Sequence, residues 1–162
     1  MPIRATILPI TLTLLAACAS PKSEERNMSQ STKAPRASVL HPAEMVGFLV
    51  TNDVARCRAF FVDRLGFREV GEDAFALVLE ADGRMVRVQK AKTHEPRPYT
   101  VLGWNVRDIE AAVERLSVAG VRCEQFGFPG QDARGIMTFS DGARVAWFKD
   151  PDGNVLSVAQ MP

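Results

Sequence analysis

In the run Met85-Val86-Arg87-Val88-Gln89 a guanidinium and an amide alternate with two valines. Successive side chains of a strand point to opposite faces, so Met85, Arg87 and Gln89 share one face and the valines the other. With the valine pair packed beneath a helix, Arg87 is left on an open face, where its planar, permanently charged fork suits a carboxylate or a phosphate. Two roles fit it. It is either the anchor of an anionic or strongly polar small ligand, with Gln89 as a further hydrogen-bond partner, or the partner of an internal acid such as Glu80 or Asp132, since buried charges are normally paired. Trp147 is a candidate stacking platform, although in an antiparallel sheet an aromatic is more often packing. Asp132, in the loop from Gly127 to Arg134, is a weak candidate for a general base, because a loop carboxylate is usually only solvated. Cys57 and Cys123 fall at apolar positions and read as buried free thiols with no His-Asp arrangement beside them.

These side chains depend on the elements that carry them. Trp147 to Gln160, WFKDPDGNVLSVAQ, reads as strand, tight turn and strand: Pro151 presets the turn, Gly153 and Asn154 tolerate positive φ, and the flanking apolar runs can pair. ALVLEADGRMVRVQ, 76–89, echoes it, with Asp82-Gly83 over Asp152-Gly153 and Val86 and Val88 over Leu156 and Val158. Upstream, VGFLVTND (46–53) lies over VLGWNVRD (101–108), and each runs into a helical pattern. Two copies of one strand-helix-strand-strand-strand unit, modules 44–92 and 99–162, therefore account for nearly everything after residue 44 and predict an α+β fold.

In the first module strands are predicted at 45–51, 67–71, 74–80 and 84–90. Between the first two, Asn52 or Asp53 caps a helix reaching Leu65, with Val54, Cys57, Phe60, Phe61 and Leu65 on its apolar face and Gly66 as its stop. The second module is expected to hold strands at 100–106, 121–126, 135–139, 143–149 and 154–160, with a helix from Asp108 to Ala119 stopped by Gly120. Residues 94–98, with two prolines, link the halves, and the loop 127–134 breaks their symmetry.

A chain of 162 residues is one ordinary domain, or two small halves with a shared core. Its 46% hydrophobic and 24% charged content is a globular balance. A formal net charge of +1, with no basic stripe carrying interleaved aromatics, argues against a nucleic-acid footprint. Three cysteines are too few for a disulfide scaffold.

With the segments AFFVDRLGF (59–67) and VAWFKDPDGNVLSVAQ (145–160) set in paired modules, the chain resembles the vicinal oxygen chelate superfamily, also called the glyoxalase/bleomycin-resistance/dioxygenase fold. The resemblance covers about residues 45–160 and implies two tandem βαβββ modules forming a cupped mixed sheet around a central cavity. Many members hold a divalent metal there with His, Glu or Gln from the first and last strand of each module. Carried over, those corners are Val46, Arg87, Val101 and Ser157. A divalent site needs about three ligands drawn from His, carboxylate or carbonyl oxygen, and a guanidinium at one corner repels a cation. The expectation is thus no metal and no cofactor at the usual place. His41 and His94, the only histidines, sit in the tether and the link, where a solvated role is expected. The same cup would be lined by Arg87, Gln89, Asn105 and Ser157 as polar groups, and by Trp147 and Phe48 as aromatic ones, with Trp104 in the core.

Residues 1–18 carry Arg4, an apolar run too short for an ordinary membrane span, then small residues, the shape of a secretory signal. Leu15-Ala16-Ala17-Cys18 resembles the bacterial lipobox, which implies lipidation at Cys18 and a lipid-anchored protein of the cell envelope. The other reading takes Met28 as the start of a cytoplasmic protein. Under either, 19–43 is a flexible tether rich in Ser, Lys, Pro and Ala.

Three functions compete. The first is a metal-independent binding module whose cup, completed by a second subunit in a homodimer, takes a small polar or anionic molecule. The second is a glyoxalase-type lyase, isomerase or dioxygenase with atypical metal ligands. The third is a structural domain with a filled core. Absence of metal-binding side chains at the four corners favours the first over the second, and the Arg87-Gln89 pair favours it over the third.

Overall fold

An aspartate opens each helix, and does so in the same way twice. Asp53 and Asp108 are both extended, and each side chain accepts the backbone N–H three residues on, from Arg56 and Ala111, at 3.0 Å. The computed structural model describes residues 39–162. The lipobox-like Cys18, the alternative start Met28 and the tether up to residue 38 lie outside them.

The first module runs β1 (Val46–Thr51), α1 (Val54–Arg58) continued by a π-helical segment (Ala59–Arg64), β2 (Arg68–Glu72), β3 (Ala76–Ala81) and β4 (Arg84–Lys90). The second runs β5 (Thr100–Asn105), α2 (Ile109–Val118), β6 (Ile136–Thr138), β7 (Arg144–Lys149) and β8 (Val155–Gln160). Each makes one four-stranded mixed sheet of the same topology, β1-β4-β3-β2 and β5-β8-β7-β6, with the first strand parallel to the last and the others antiparallel. The α+β fold of two βαβββ modules is therefore present.

Three local readings change. The predicted helix to Leu65 is α-helical only to Arg58 and then widens, with the Leu65 N–H donating to the Phe60 carbonyl five residues back at 3.1 Å. The wider turn lets the adjacent Phe60 and Phe61 both face the core. No strand forms at 121–126 beyond a single bridge from Cys123 to Phe148. There the Gln131 side chain acts as the missing neighbour, accepting from the Phe126 N–H and donating to the Glu124 and Gly135 carbonyls at 2.9–3.0 Å. At the closing hairpin only Gly153 takes positive φ; Asn154 does not, and is used for its side chain instead.

One core serves both modules. Leu49, Phe61, Leu77, Leu79 and Val88 from the first join Ile109, Ile136, Phe148 and Leu156 from the second in a single buried cluster. Phe67 meets Trp104 edge-on across the boundary at 5.9 Å, and Trp104 stacks on Phe148, so Trp104 packs against the core as expected. β1 and β5 approach closely enough that a Cβ on Gly47 would lie 3.4 Å from Leu102 Cδ1. The helix-side faces of both sheets are thus spent on this core, and the opposite faces are left outward.

The 150–154 turn ties the halves together. Asp150 Oδ1 accepts the N–H groups of Asp152 and Asn154, and Asp152 accepts from Asn52 and from Arg56 in the first module. His94, expected to be solvated, is partly buried instead, with Nε2 2.7 Å from Asn154 Oδ1.

Candidate functional site

Strand register decides which predicted residues meet. On the outward face of the first sheet Arg87 lies directly between Phe48 of β1 and Val78 of β3, and Gln89 between Val50 and Ala76. Val86 and Val88 are buried on the other face, as the alternation requires. Val46, Phe48 and Met85 remain 37%, 56% and 41% exposed and form an apolar fringe beside the guanidinium.

Arg87 is neither free nor paired with the acids expected from sequence. Its Nη2 donates to Asp73 Oδ2 at 2.8 Å, in a pair that stays about one-third to one-half exposed. Glu80 instead meets Arg68 at 2.6 Å and accepts from the Gly83 N–H, while Asp132 meets Arg134. Asp73 is also the cap of its own turn, accepting the N–H groups of Phe75 and Ala76 through Oδ1. The Phe75 N–H, the Arg87 guanidinium and the Ala76 N–H together hold this carboxyl below its ordinary value. Among the described residues only one Arg87 nitrogen is engaged, so the fork keeps donors to offer.

The outward face of the second sheet holds the other candidates. Trp147 lies opposite Ser157, and Ser157 opposite Gly103. Trp147 Nε1 donates to Thr100 Oγ1 at 3.1 Å, which fixes the indole, and the rings of Phe126 and Phe128 stand edge-on to it at 5.9 and 6.1 Å. Sequence reasoning missed these two phenylalanines and Thr100. The available signal was a Phe-Gly-Phe-Pro run, 126–129, at the entry to the loop that breaks the repeat. Ser157 is buried, and Gly103 leaves room for it: a Cβ there would lie 2.6 Å from Ser157 Oγ. Asn105 is exposed at the end of β5, and the side chains of Gln89, Asn105 and Ser157 have no hydrogen-bond partner among the described residues.

Asp132 works inside its loop. Its Oδ1 accepts the Arg134 and Ile136 N–H groups at 2.9 Å, and its Oδ2 faces the Arg134 guanidinium. Burial raises its proton affinity, but these bonds outweigh it and leave the carboxyl below its ordinary value. Cys57 is buried and free, its thiol pushed up to about 12 by burial and then by Asp152 and Asp150; Cys123, free and half-buried, is raised as well. Neither is poised as a thiolate nucleophile.

The structure therefore gathers Phe48, Arg87 and Gln89 on one sheet and Trp147, Ser157 and Asn105 on the other. Among the described residues no hydrogen bond, ion pair or ring contact joins the two sets. Of the four corners, Val46 sits two residues before Phe48, and Val101 sits where the β5–β8 register slips between Thr100 and Leu102. Two valines, an ion-paired arginine and a serine hydroxyl do not make a donor set for a divalent cation. Nor do the described residues contain another group of three or more His, Cys, Asp or Glu arranged to hold one. A cavity of about 570 Å³ lies on the opposite, helix side of the sheets, away from these residues.

Doubled βαβββ topology, with a helix-opening aspartate and a hairpin at matching places in each half, is what the comparisons with known proteins then meet. The glyoxalase/bleomycin resistance protein/dioxygenase superfamily profile matches residues 39–158. The chain belongs to this superfamily. A bleomycin resistance determinant encoded on the transposon Tn5 superimposes with a TM-score of 0.58 at 20% identity, over 74% of this chain and 98% of that one. The fosfomycin resistance protein FosX of Listeria monocytogenes gives 0.58 at 14% identity, over 74% and 93%. A lactoylglutathione lyase of Agrobacterium tumefaciens gives 0.55 at 14% identity, over 74% and 93%. At such identities the superpositions speak for the fold. No curated protein matches the sequence.

Proposed function

We propose that this superfamily member is a metal-independent binding protein that takes a small polar or anionic molecule on the outward sheet faces. One observation carries the reading: Arg87 stands where the superfamily commonly places a metal ligand, about one-third exposed beside Phe48, with one nitrogen engaged by Asp73 and the rest of its fork without a partner among the described residues. A guanidinium in that place recognises directly the anionic group a metal would otherwise hold. Gln89, Ser157 and Asn105 supply unpartnered hydrogen-bonding groups, and the Trp147-Phe126-Phe128 cluster supplies a rigid aromatic surface.

Among the described residues no hydrogen bond, ion pair or ring contact joins the two half-sites, and each carries exposed apolar side chains. This supports a homodimer in which the Arg87 face of one copy meets the Trp147 face of the other, checked by sedimentation equilibrium. The lipobox-like sequence at Cys18 supports attachment to the cell envelope by lipid, against a cytoplasmic protein begun at Met28. Mass analysis of the native N-terminus distinguishes them.

The deciding experiment couples metal analysis with ligand-induced thermal shifts, using fosfomycin, bleomycin and inorganic phosphate as probes on the parent chain and on Arg87→Met. Expected are no stoichiometric divalent metal, a shift with at least one probe, and loss of that shift in the variant. Stoichiometric metal, or a variant that loses stability while binding is unchanged, overturns the proposal.

A further inference from the structure

The 570 Å³ cavity on the helix side is large enough for a drug-sized molecule and belongs to neither outward face. Its floor is apolar, made by Phe67, Trp104, Phe148, Leu116 and Val158 from both modules. All but Trp104 are buried; Trp104 is half-buried, and its indole N–H has no partner among the described residues. That N–H is therefore open to solvent and to a ligand.

The rim is basic, and the pairing of its charges is uneven. Arg68 is neutralised by Glu80 at 2.6 Å. Arg64 and Arg115 have no acidic partner among the described residues, and Asp82 is the remaining rim acid. Both arginines line the cavity where the first module's helix end meets the last turns of α2. Arg64 Nη1 lies 3.9 Å from where a Cβ on Gly120 would stand, and Arg115 sits one turn earlier, its carbonyl accepting the Ala119 N–H. Arg64 gets there because it ends the π-helical segment, whose wider turn turns both Phe60 and Phe61 inward; such segments recur at functional sites.

From these observations we infer that the cavity is a second binding site, for a small amphipathic carboxylate whose apolar body lies over Trp104 and Phe67 and whose carboxylate is held between Arg64 and Arg115. An apolar floor alone would accept a neutral ring equally well. Two exposed arginines on the lining, without an acidic partner among the described residues, add the preference for an anion.

The test uses 2-naphthoate and its uncharged counterpart 2-naphthamide on the full-length chain carrying Trp147→Phe, so that Trp104 is the sole tryptophan reporter. Naphthoate is expected to quench Trp104 saturably. R64Q/R115Q should weaken naphthoate by about tenfold or more and leave naphthamide unchanged. R64K/R115K should recover part of the loss, and Ala119→Phe, which fills the cavity, should abolish both. Arg87→Met should leave the Trp104 quenching curves as they are, which separates this site from the outward faces. No saturable quenching up to millimolar probe, equal affinity for the two probes, or a loss caused by Arg87→Met overturns the inference.

Discussion

Asn154 Nδ2 donates to the carbonyl of Val50, 3.2 Å away in the other module, from a position only 3% exposed. The same amide donates to Asp150 Oδ2 at 2.7 Å, and its oxygen meets the His94 ring. One buried side chain thus joins the closing hairpin, the first strand and the inter-module link. Asn154→Ala removes the partner of Asp150 Oδ2 and of the Val50 carbonyl together, leaving Asp150 Oδ1 its two backbone N–H groups, at an expected cost of about 2–3 kcal/mol. His94→Ala removes a single partner at the edge and should cost less than about 1 kcal/mol. Urea denaturation of both variants checks the order; equal losses would show that the knot is not centred on Asn154.

The exposed acids predict the response to pH. Glu69 is lowered by hydrogen bonding to Arg58, and Glu72 by Lys90 and Arg58; Asp73, Glu80, Glu110 and Asp132 are lowered as well. A carboxylate lowered in the folded state stabilises it fully above the ordinary value of 3.8 to 4.5, and that contribution is lost as pH falls through the folded value. Asp150, raised by burial, acts oppositely, its contribution falling as pH rises past 3.8. With six groups against one, the urea midpoint should drop on acidification from about pH 5 to about pH 3. Arg58→Met removes a shared partner of Glu69 and Glu72, so its decline should be shallower than that of the parent; an identical slope rules out this cluster as a source.

Much of the fold was legible because its signals are local and doubled. An aspartate cap, a glycine stop and an Asp-Gly turn before the last strand recur in both modules, the second turn lengthened to Asp-Pro-Asp-Gly, and Arg87 and Trp104 fell on the faces that alternation assigned. What escaped was set by side chains acting far from their own strand. Gln131 replaces a strand partner for 124–126, and nothing in the composition of Val121 to Phe126 announces that. Asp73 captures Arg87 although Glu80 is nearer in sequence, because Glu80 lies opposite Met85 and is held at the hairpin by Arg68 and Gly83. Phe126 and Phe128 reach Trp147 only because the loop folds back over β7.

Gly103 offers a direct probe of the second sheet's outward face. Adding a methyl group there places a carbon 2.6 Å from Ser157 Oγ and 3.3 Å from the Ser157 carbonyl oxygen. Gly103→Ala should therefore displace β8 and cost about 1–3 kcal/mol. Combining it with Ser157→Ala removes the hydroxyl clash but not the carbonyl contact, so part of the loss should return. Thermal denaturation of the two single variants and the double variant gives the coupling; strictly additive losses would mean that the two residues do not meet.

Asp73 separates the two roles of Arg87. It is the only acid that contacts the guanidinium among the described residues, and it competes with any anion for the same donors. Asp73→Asn removes that charge but keeps an oxygen able to accept the Phe75 and Ala76 N–H groups, so the turn should hold. If Arg87 anchors anions, this variant should bind inorganic phosphate about threefold to tenfold more tightly than the parent, and Arg87→Met in the same background should erase the gain. If the guanidinium serves only to neutralise Asp73, the substitution should leave phosphate affinity where it was and lower the melting temperature slightly. Calorimetric titration with phosphate distinguishes the outcomes, because a gain that requires Arg87 has no source other than donors released by the lost carboxylate.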